Sequence, residues 1–192
     1  MARIVEYEHQ DALGLASWVR TGQVSPIELL EAAGARIEAR NPATNAVVIR
    51  AFEEGRKAIE AGLPDGPLRG VPWLLKDLHA AWKGVRLTNG SRFFADNVSD
   101  YDSELVSRYR RAGLVIFGKS ASPEFGITTS TESALFGKTR NPWNLEHSAG
   151  GTCICSCWEV APVRMRQAGE DGCWLGRAVQ PLLLLDRPTG QA

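Results

Sequence analysis

Cysteine is missing from residues 1–152, and all four cysteines of the sequence lie further on, at Cys153, Cys155, Cys157 and Cys173. A main body without cysteine excludes a disulfide framework and is typical of proteins in reducing compartments. An excess of either charge is also missing, because 22 basic and 22 acidic residues give a formal net charge of zero. Nucleic-acid and anionic-membrane partners are therefore not expected.

Long hydrophobic runs are missing as well. The longest aliphatic run, Leu182–Leu185, is far shorter than the ~20 residues of a membrane-spanning helix. Residues 1–14 carry early acidic side chains and no apolar core of signal-peptide length. We therefore expect a cytoplasmic, globular protein.

The sequence does contain clear helical patterns near its start. Apolar residues at helical spacing predict a helix over 11–20, which Gly22 ends. A second helix is predicted after Ser25, because serine is a favourable N-cap, Pro26 suits the first helical position and Glu28 completes a capping box.

Strand patterns alternate with the helical ones. β-branched residues over 45–52 predict a strand, and the apolar run Leu114–Phe117 predicts a buried one. Between them, a capped helix is predicted to begin at Ser99 or Asp102 and to end at Gly113. This alternation favours an α/β layered fold.

The segment Gly113–Ser120 matches the P-loop pattern G-x-x-x-x-G-K-S. A P-loop needs a flexible loop between its glycines, so that backbone N–H groups can surround a phosphate. Here the four intervening residues are Leu, Val, Ile and Phe, which are typical of a core strand. We therefore predict a helix end, a strand and a turn instead of a nucleotide site.

Several segments resemble, in order and separation, the amidase signature family of amide hydrolases. The segments are SPIELLEAAGARIEARNP, LRGVPWLLKDL, GVRLTNGSRFF, DSELVSRYRRAGLVIFGKSASPEFG, TESALFGKTRNPWN and SAGG. The resemblance covers residues 5–151. Within the family, the middle segments are most similar to hydrolases of cyclic or linear amides such as the aminohexanoate cyclic-dimer hydrolases.

The resemblance implies an α/β fold, the N-terminal portion of the amidase signature fold with a mixed sheet flanked by helices. It also implies hydrolysis of a small-molecule amide through an acyl-enzyme, by a Ser–Ser–Lys triad that needs no cofactor. The lysine of that triad would be Lys76, which closes the motif GVPWLLKD. The bridging serine follows a Gly-Gly pair, and this sequence has Thr152 after Gly150 and Gly151.

The nucleophilic serine of the family lies in a Gly-Gly-Ser motif that residues 153–192 lack. The resemblance therefore ends abruptly at Gly151. We interpret residues 1–151 as an incomplete amidase-like domain and residues 152–192 as an atypical tail, the product of a shifted reading frame or a disordered segment. The 192-residue chain is predicted to be inactive alone.

Lys76 needs a special environment to act as a base. The pKa of a free lysine is about 10.4, and it must fall by roughly 3 units to supply a neutral amine near pH 7. The apolar neighbours Val71, Trp73, Leu74 and Leu75 favour such burial. The structural alternative is a lysine at a strand end whose ammonium group reaches water.

The loop around Thr128, Thr129 and Ser130 is predicted to line the substrate cleft, where its hydroxyl groups could orient an amide. An ordinary hydroxyl-rich loop is the alternative interpretation. Two other functions stay open for the chain. One is a non-catalytic amidase-like binding module, and the other is a cysteine-rich metal-binding tail, although C-x-C-x-C differs from the usual zinc spacing. The oligomeric state is not predicted.

Overall fold

The computed structural model describes residue 7 and residues 10–151. The predicted tail, Thr152 and the four cysteines lie outside the described residues. The helices are α1 (Ala12–Arg20), α2 (Pro26–Thr44), α3 (Phe52–Glu60) and α4 (Glu104–Arg111). The strands are β1 (Val47–Arg50), β2 (Pro72–Lys76), β3 (Val115–Ser120), β4 (Glu132–Ser133), β5 (Gly137–Lys138), β6 (Arg140–Asn141) and β7 (Asn144–Ser148).

The helix starts near the N-terminus agree with the sequence. The Asp11 side chain caps α1 by accepting a hydrogen bond from Gly14 N at 2.7 Å. Ser25 and Glu28 form the predicted capping box of α2, with Pro26 at its first position. None of the helices in the described ranges is long and apolar enough to cross a membrane.

The central sheet has three strands in the order β1-β3-β2. β1 runs antiparallel to β3, whereas β2 runs parallel to it, so the sheet is mixed as expected. Two small hairpins, β4–β5 and β6–β7, follow the sheet. The start of β1 and the ends of β2 and β3 therefore meet at one edge.

Both faces of the sheet are covered by apolar side chains. On one face, α2 residues such as Leu30 and Ile37 pack against Leu74 and Phe117. On the other face, Leu75 and Ile116 belong to a larger core with residues of α1 and α4. The edge where the strands end thus has a buried layer on each side, which can desolvate a polar group placed there.

Two local predictions were wrong in detail. The N-cap of α4 is Ser103, whose hydroxyl accepts from Val106 N, and not Ser99 or Asp102. The Asp102 carboxylate is occupied elsewhere, since it accepts a hydrogen bond from Lys83 N at 2.7 Å. The strand predicted to stop at Phe117 continues through Gly118 to Ser120.

Candidate active site

Lys76 is the last residue of β2, and it is half-buried. Its register partner on β3 is Ser120, which is 1% exposed. Register partners on adjacent parallel strands point to the same face of a sheet. The amine of Lys76 and the hydroxyl of Ser120 therefore share one face at the strand ends.

The opposite face of the same strand ends holds two buried charged residues, Lys119 and Asp77. Lys119 is the register partner of Leu75, and Asp77 directly follows Lys76, so alternation directs both side chains away from the Lys76 face. Lys119 and Asp77 are each 0% exposed. The Lys119 ammonium donates a hydrogen bond to Ala80 O at 3.1 Å.

Burial lowers the pKa of Lys119 from 10.5 to about 8, and the nearby Asp77 carboxylate opposes that shift. Desolvation disfavours the charged form of a lysine, whereas an adjacent carboxylate favours it. Desolvation is the larger of the two effects here. Lys119 is therefore a buried amine that changes charge in mildly alkaline solution.

The Asp77 carboxylate anchors the loop that follows β2. It accepts a hydrogen bond from Thr88 N at 3.0 Å and another from the Thr88 hydroxyl. Gly90 N approaches the same carboxylate at 3.4 Å. These contacts give Asp77 a structural role, as the buried acceptor that orders the loop after β2.

A second set of bonds ties the loop after β2 to the loop after β3. His79 N donates to Asn89 Oδ1 at 3.0 Å, and Phe125 N donates to Asn89 O at 2.8 Å. All three residues have a left-handed backbone, with φ between 51° and 57°. Such conformations persist only where the surroundings enforce them, so the strand-end loops form one ordered unit.

The Gly-Gly turn and the predicted substrate loop lie side by side. The Thr131 hydroxyl contacts Gly150 O at 2.8 Å and Gly151 O at 2.7 Å. A Cβ added at Gly151 would lie 3.2 Å from Thr128 O. The two segments that the sequence assigned to the site are thus neighbours.

The turn is joined to the Lys76 end of the sheet through three alanines. Ala149, immediately before the turn, packs against Ala46 at the start of β1. Ala46 O accepts a hydrogen bond at 2.7 Å from Ala121 N, one residue after Ser120. The Gly-Gly turn therefore lies at the same sheet edge as Lys76.

The substrate-loop side chains differ in exposure. Thr128 and Thr129 are exposed and Ser130 is half-buried. The Thr128 hydroxyl donates to Ser130 O at 2.9 Å, which closes the loop on itself. Whether these hydroxyl groups orient a substrate stays a prediction.

Sequence reasoning missed Lys119 as part of this edge. Its signal was present in the G-K-S segment, which we interpreted only as a false P-loop match and a turn. The strand prediction for residues 114–117 was right, but the strand continues and buries the lysine.

The chain is similar to known amide hydrolases in both sequence and fold. The family model described as Amidase matches residues 28–153. A 6-aminohexanoate-cyclic-dimer hydrolase of Paenarthrobacter ureafaciens is 44% identical over 145 residues, covering 74% of this chain and 29% of the relative. An acylamidase of Rhodococcus erythropolis is 39% identical over 157 residues, covering 78% of this chain and 33% of the relative.

A solved structure of 6-aminohexanoate cyclic dimer hydrolase superposes with a TM-score of 0.71 at 43% sequence identity. The match covers 75% of this chain and 30% of that one. The mixed sheet, the helices and the lysine at the strand end thus define the N-terminal part of an amide-hydrolase fold.

The chain belongs to the amidase signature family. The expected likeness to the aminohexanoate cyclic-dimer hydrolases is confirmed. The chain spans about 30% of the length of the curated relatives it matches. The family match ends at residue 153, close to the point where the sequence resemblance was seen to stop.

Proposed function

We propose that residues 10–151 supply the lysine-bearing part of a hydrolase for small-molecule amides. In this proposal Lys76, as a neutral amine, accepts a proton through a bridging hydroxyl from a serine that attacks the amide carbonyl. The C–N bond then breaks as this proton is passed on to the nitrogen of the leaving amine, and water hydrolyses the acyl-enzyme. Backbone N–H groups of a Gly-rich loop would stabilise the oxyanion.

The single observation behind this proposal is the placement of Lys76. It ends a buried strand, it shares a face with the buried Ser120, and the Gly150–Gly151 turn lies at the same edge. The partial burial of Lys76 is the first condition for an amine that is neutral near pH 7.

The sequence lacks the motif that carries the nucleophilic serine of the family, since residues 153–192 contain no Gly-Gly-Ser. We therefore propose that the 192-residue chain does not hydrolyse amides by itself. The change of sequence character after Gly151 supports a shifted reading frame. Reading the coding DNA past codon 151 in the other two frames tests this, and it fails if neither frame encodes a Gly-Gly-Ser motif.

Activity is tested by restoring the missing segment. Residues 1–151 are fused to the part of the Paenarthrobacter ureafaciens hydrolase that follows its matching Gly-Gly pair. The fusion is expected to hydrolyse the 6-aminohexanoate cyclic dimer, whereas the 192-residue chain should not. An inactive but cooperatively folded fusion would contradict the proposal.

The absence of a nucleophile motif also favours a second candidate function, a non-catalytic amidase-like binding module. A cytoplasmic module of this kind would be monodisperse and melt cooperatively as the 192-residue chain. Size-exclusion chromatography with calorimetry measures both properties. Aggregation of the chain would count against the module.

A further inference from the structure

The strand-end edge contains a buried charged unit that the proposed chemistry does not use. Lys119 and Asp77 are both 0% exposed and lie on the face opposite Lys76. A buried charge is costly unless it is paired and hydrogen-bonded. The unit must therefore contribute to the arrangement of the edge.

The hydrogen bonds of the unit converge on the backbone next to Lys76. Asp77 directly follows Lys76, and Asp77 N donates to Ser120 O at 3.0 Å, which extends the β2–β3 ladder by one residue. The Lys119 ammonium donates a hydrogen bond to Ala80 O, and the Asp77 carboxylate accepts one from Thr88 N. The loop after Lys76 is thus fixed at its first residues and at its far end.

Other titratable groups of the neighbouring segments are held apart from the unit. His79 lies in the same loop and is exposed. The Glu124 carboxylate accepts a hydrogen bond from the Ser91 hydroxyl at 2.6 Å. The Asp77 carboxylate is the charge that acts on Lys119.

We propose that Lys119 and Asp77 are positioning residues for Lys76, through the strand-end backbone that all three share. The inference rests on the proposed role of Lys76 as the proton-accepting amine. Loss of the Lys119 proton removes a buried positive charge near Asp77 and weakens the hydrogen bond that Lys119 donates to Ala80 O. The loop that starts at Asp77 must then repack, and the surroundings of the Lys76 amine change with it.

The coupling can be measured in the full 192-residue chain without any hydrolysis. The chain is labelled with ¹³C and ¹⁵N in lysine side chains, and the Lys76 signals are assigned from their loss in Lys76→Arg. In a pH titration by NMR, the Lys76 signals are expected to show an extra inflection near pH 8, where Lys119 loses its proton. A Lys76 titration with no inflection there would overturn the proposal.

Two variants fix the sign of the coupling. Lys119→Met removes the buried cation, so the inflection near pH 8 should disappear and the pKa of Lys76 should move upward. Asp77→Asn removes the buried anion, so the pKa of Lys76 should move downward. Lys138→Met, which removes a lysine whose side chain is 73% exposed, is the matched control and should change neither.

The Lys119→Met titration decides whether Lys119 positions Lys76. If Lys119→Met folds and the Lys76 signals keep the wild-type profile, the positioning role is wrong. If the variant does not fold, the wild-type titration alone decides. An inactive fusion protein with the coupling intact would overturn the proposed function but not the positioning of Lys76 by Lys119 and Asp77. An active fusion protein without the coupling would overturn the positioning role but not the proposed function.

Discussion

Lys76 and Lys119 lie on neighbouring strands, one register step apart, yet their burial and surroundings differ. Lys76 is half-buried at the end of β2, at the same sheet edge as the Gly-Gly turn. Lys119 is fully buried on the other face, where the Asp77 carboxylate partly offsets the effect of desolvation on its pKa. The comparison teaches that deep burial of a lysine is not by itself a sign of catalysis, because the more deeply buried Lys119 anchors the loop after β2 through its hydrogen bond to Ala80 O.

The largest effect on stability is expected from Asp77→Ala. This change leaves Thr88 N and the Thr88 hydroxyl without their buried acceptor, and it removes the negative charge that acts on Lys119. Leaving two buried donors without a partner costs about 2–6 kcal/mol. Urea unfolding followed by circular dichroism measures the loss, and a cost below about 1 kcal/mol would mean that Asp77 does not anchor this loop.

Gly90→Ala tests the same loop through its backbone. Gly90 has a φ of 68°, and a Cβ there would lie 2.6 Å from Ser122 O. The substitution should cost about 2–4 kcal/mol in the free energy of unfolding, since strain and a steric clash add.

Gly84→Ala is the matched control for Gly90→Ala. Gly84 has a φ of 79°, but nothing lies within 4 Å of an added Cβ. Only the cost of the left-handed backbone, about 1–2 kcal/mol, is expected there. Equal costs at both positions would show that the loop does not pack on Ser122 as described.

The pH dependence of the free energy of unfolding tests the burial of Lys119. The pKa of Lys119 is about 8 in the folded chain, below the value of 10.5 without burial, so the unfolded chain binds more protons between these values. The free energy of unfolding should therefore rise with pH across this window, by about 1–3 kcal/mol relative to Lys119→Met. Urea titrations at pH 7.5 and 10 measure the difference.

The opposite trend would contradict this account of Lys119. If stability fell between these two pH values in the wild type but not in Lys119→Met, the folded chain would bind the proton more tightly than the unfolded one. The Asp77 carboxylate, and not desolvation, would then dominate the pKa of Lys119.

The smallest effect is expected from Lys76→Met in the 192-residue chain. A half-buried lysine at a strand end contributes little to stability, so the change should stay within about 1 kcal/mol. Urea unfolding under the same conditions as for Asp77→Ala allows the losses in the free energy of unfolding of the two variants to be compared directly. A loss as large as that of Asp77→Ala would make Lys76 a structural residue.

Much of the local structure could be predicted from the sequence. The capping box at Ser25 and Glu28 and the lysine at the end of GVPWLLKD are short-range patterns with direct physical causes. The start of α4 was missed because three possible caps, Ser99, Asp102 and Ser103, lie within five residues. Tertiary contacts distinguish them, since the Asp102 carboxylate accepts from Lys83 N and the Ser99 backbone is bonded to Gly84 and Val85.

The buried pair could not have been predicted in the same way. Asp77 and Lys119 are far apart in sequence and meet only because β2 and β3 are parallel neighbours. Sequence reasoning stopped the second strand at Phe117, since Gly118 and a lysine are typical of a turn. The buried lysine is accommodated by Ala80 O, which accepts its hydrogen bond and lies in the loop after β2.

The most direct test of the central claim is the hydrolysis rate of the fusion protein with Lys76 replaced. A positioned general base contributes about 10²–10⁴-fold to a rate, so Lys76→Ala should lower kcat by that factor. Lys57→Ala, at a lysine whose side chain is 67% exposed, should leave kcat unchanged. If the Lys76→Ala fusion hydrolyses the cyclic dimer as fast as its parent, Lys76 is not the proton-accepting amine.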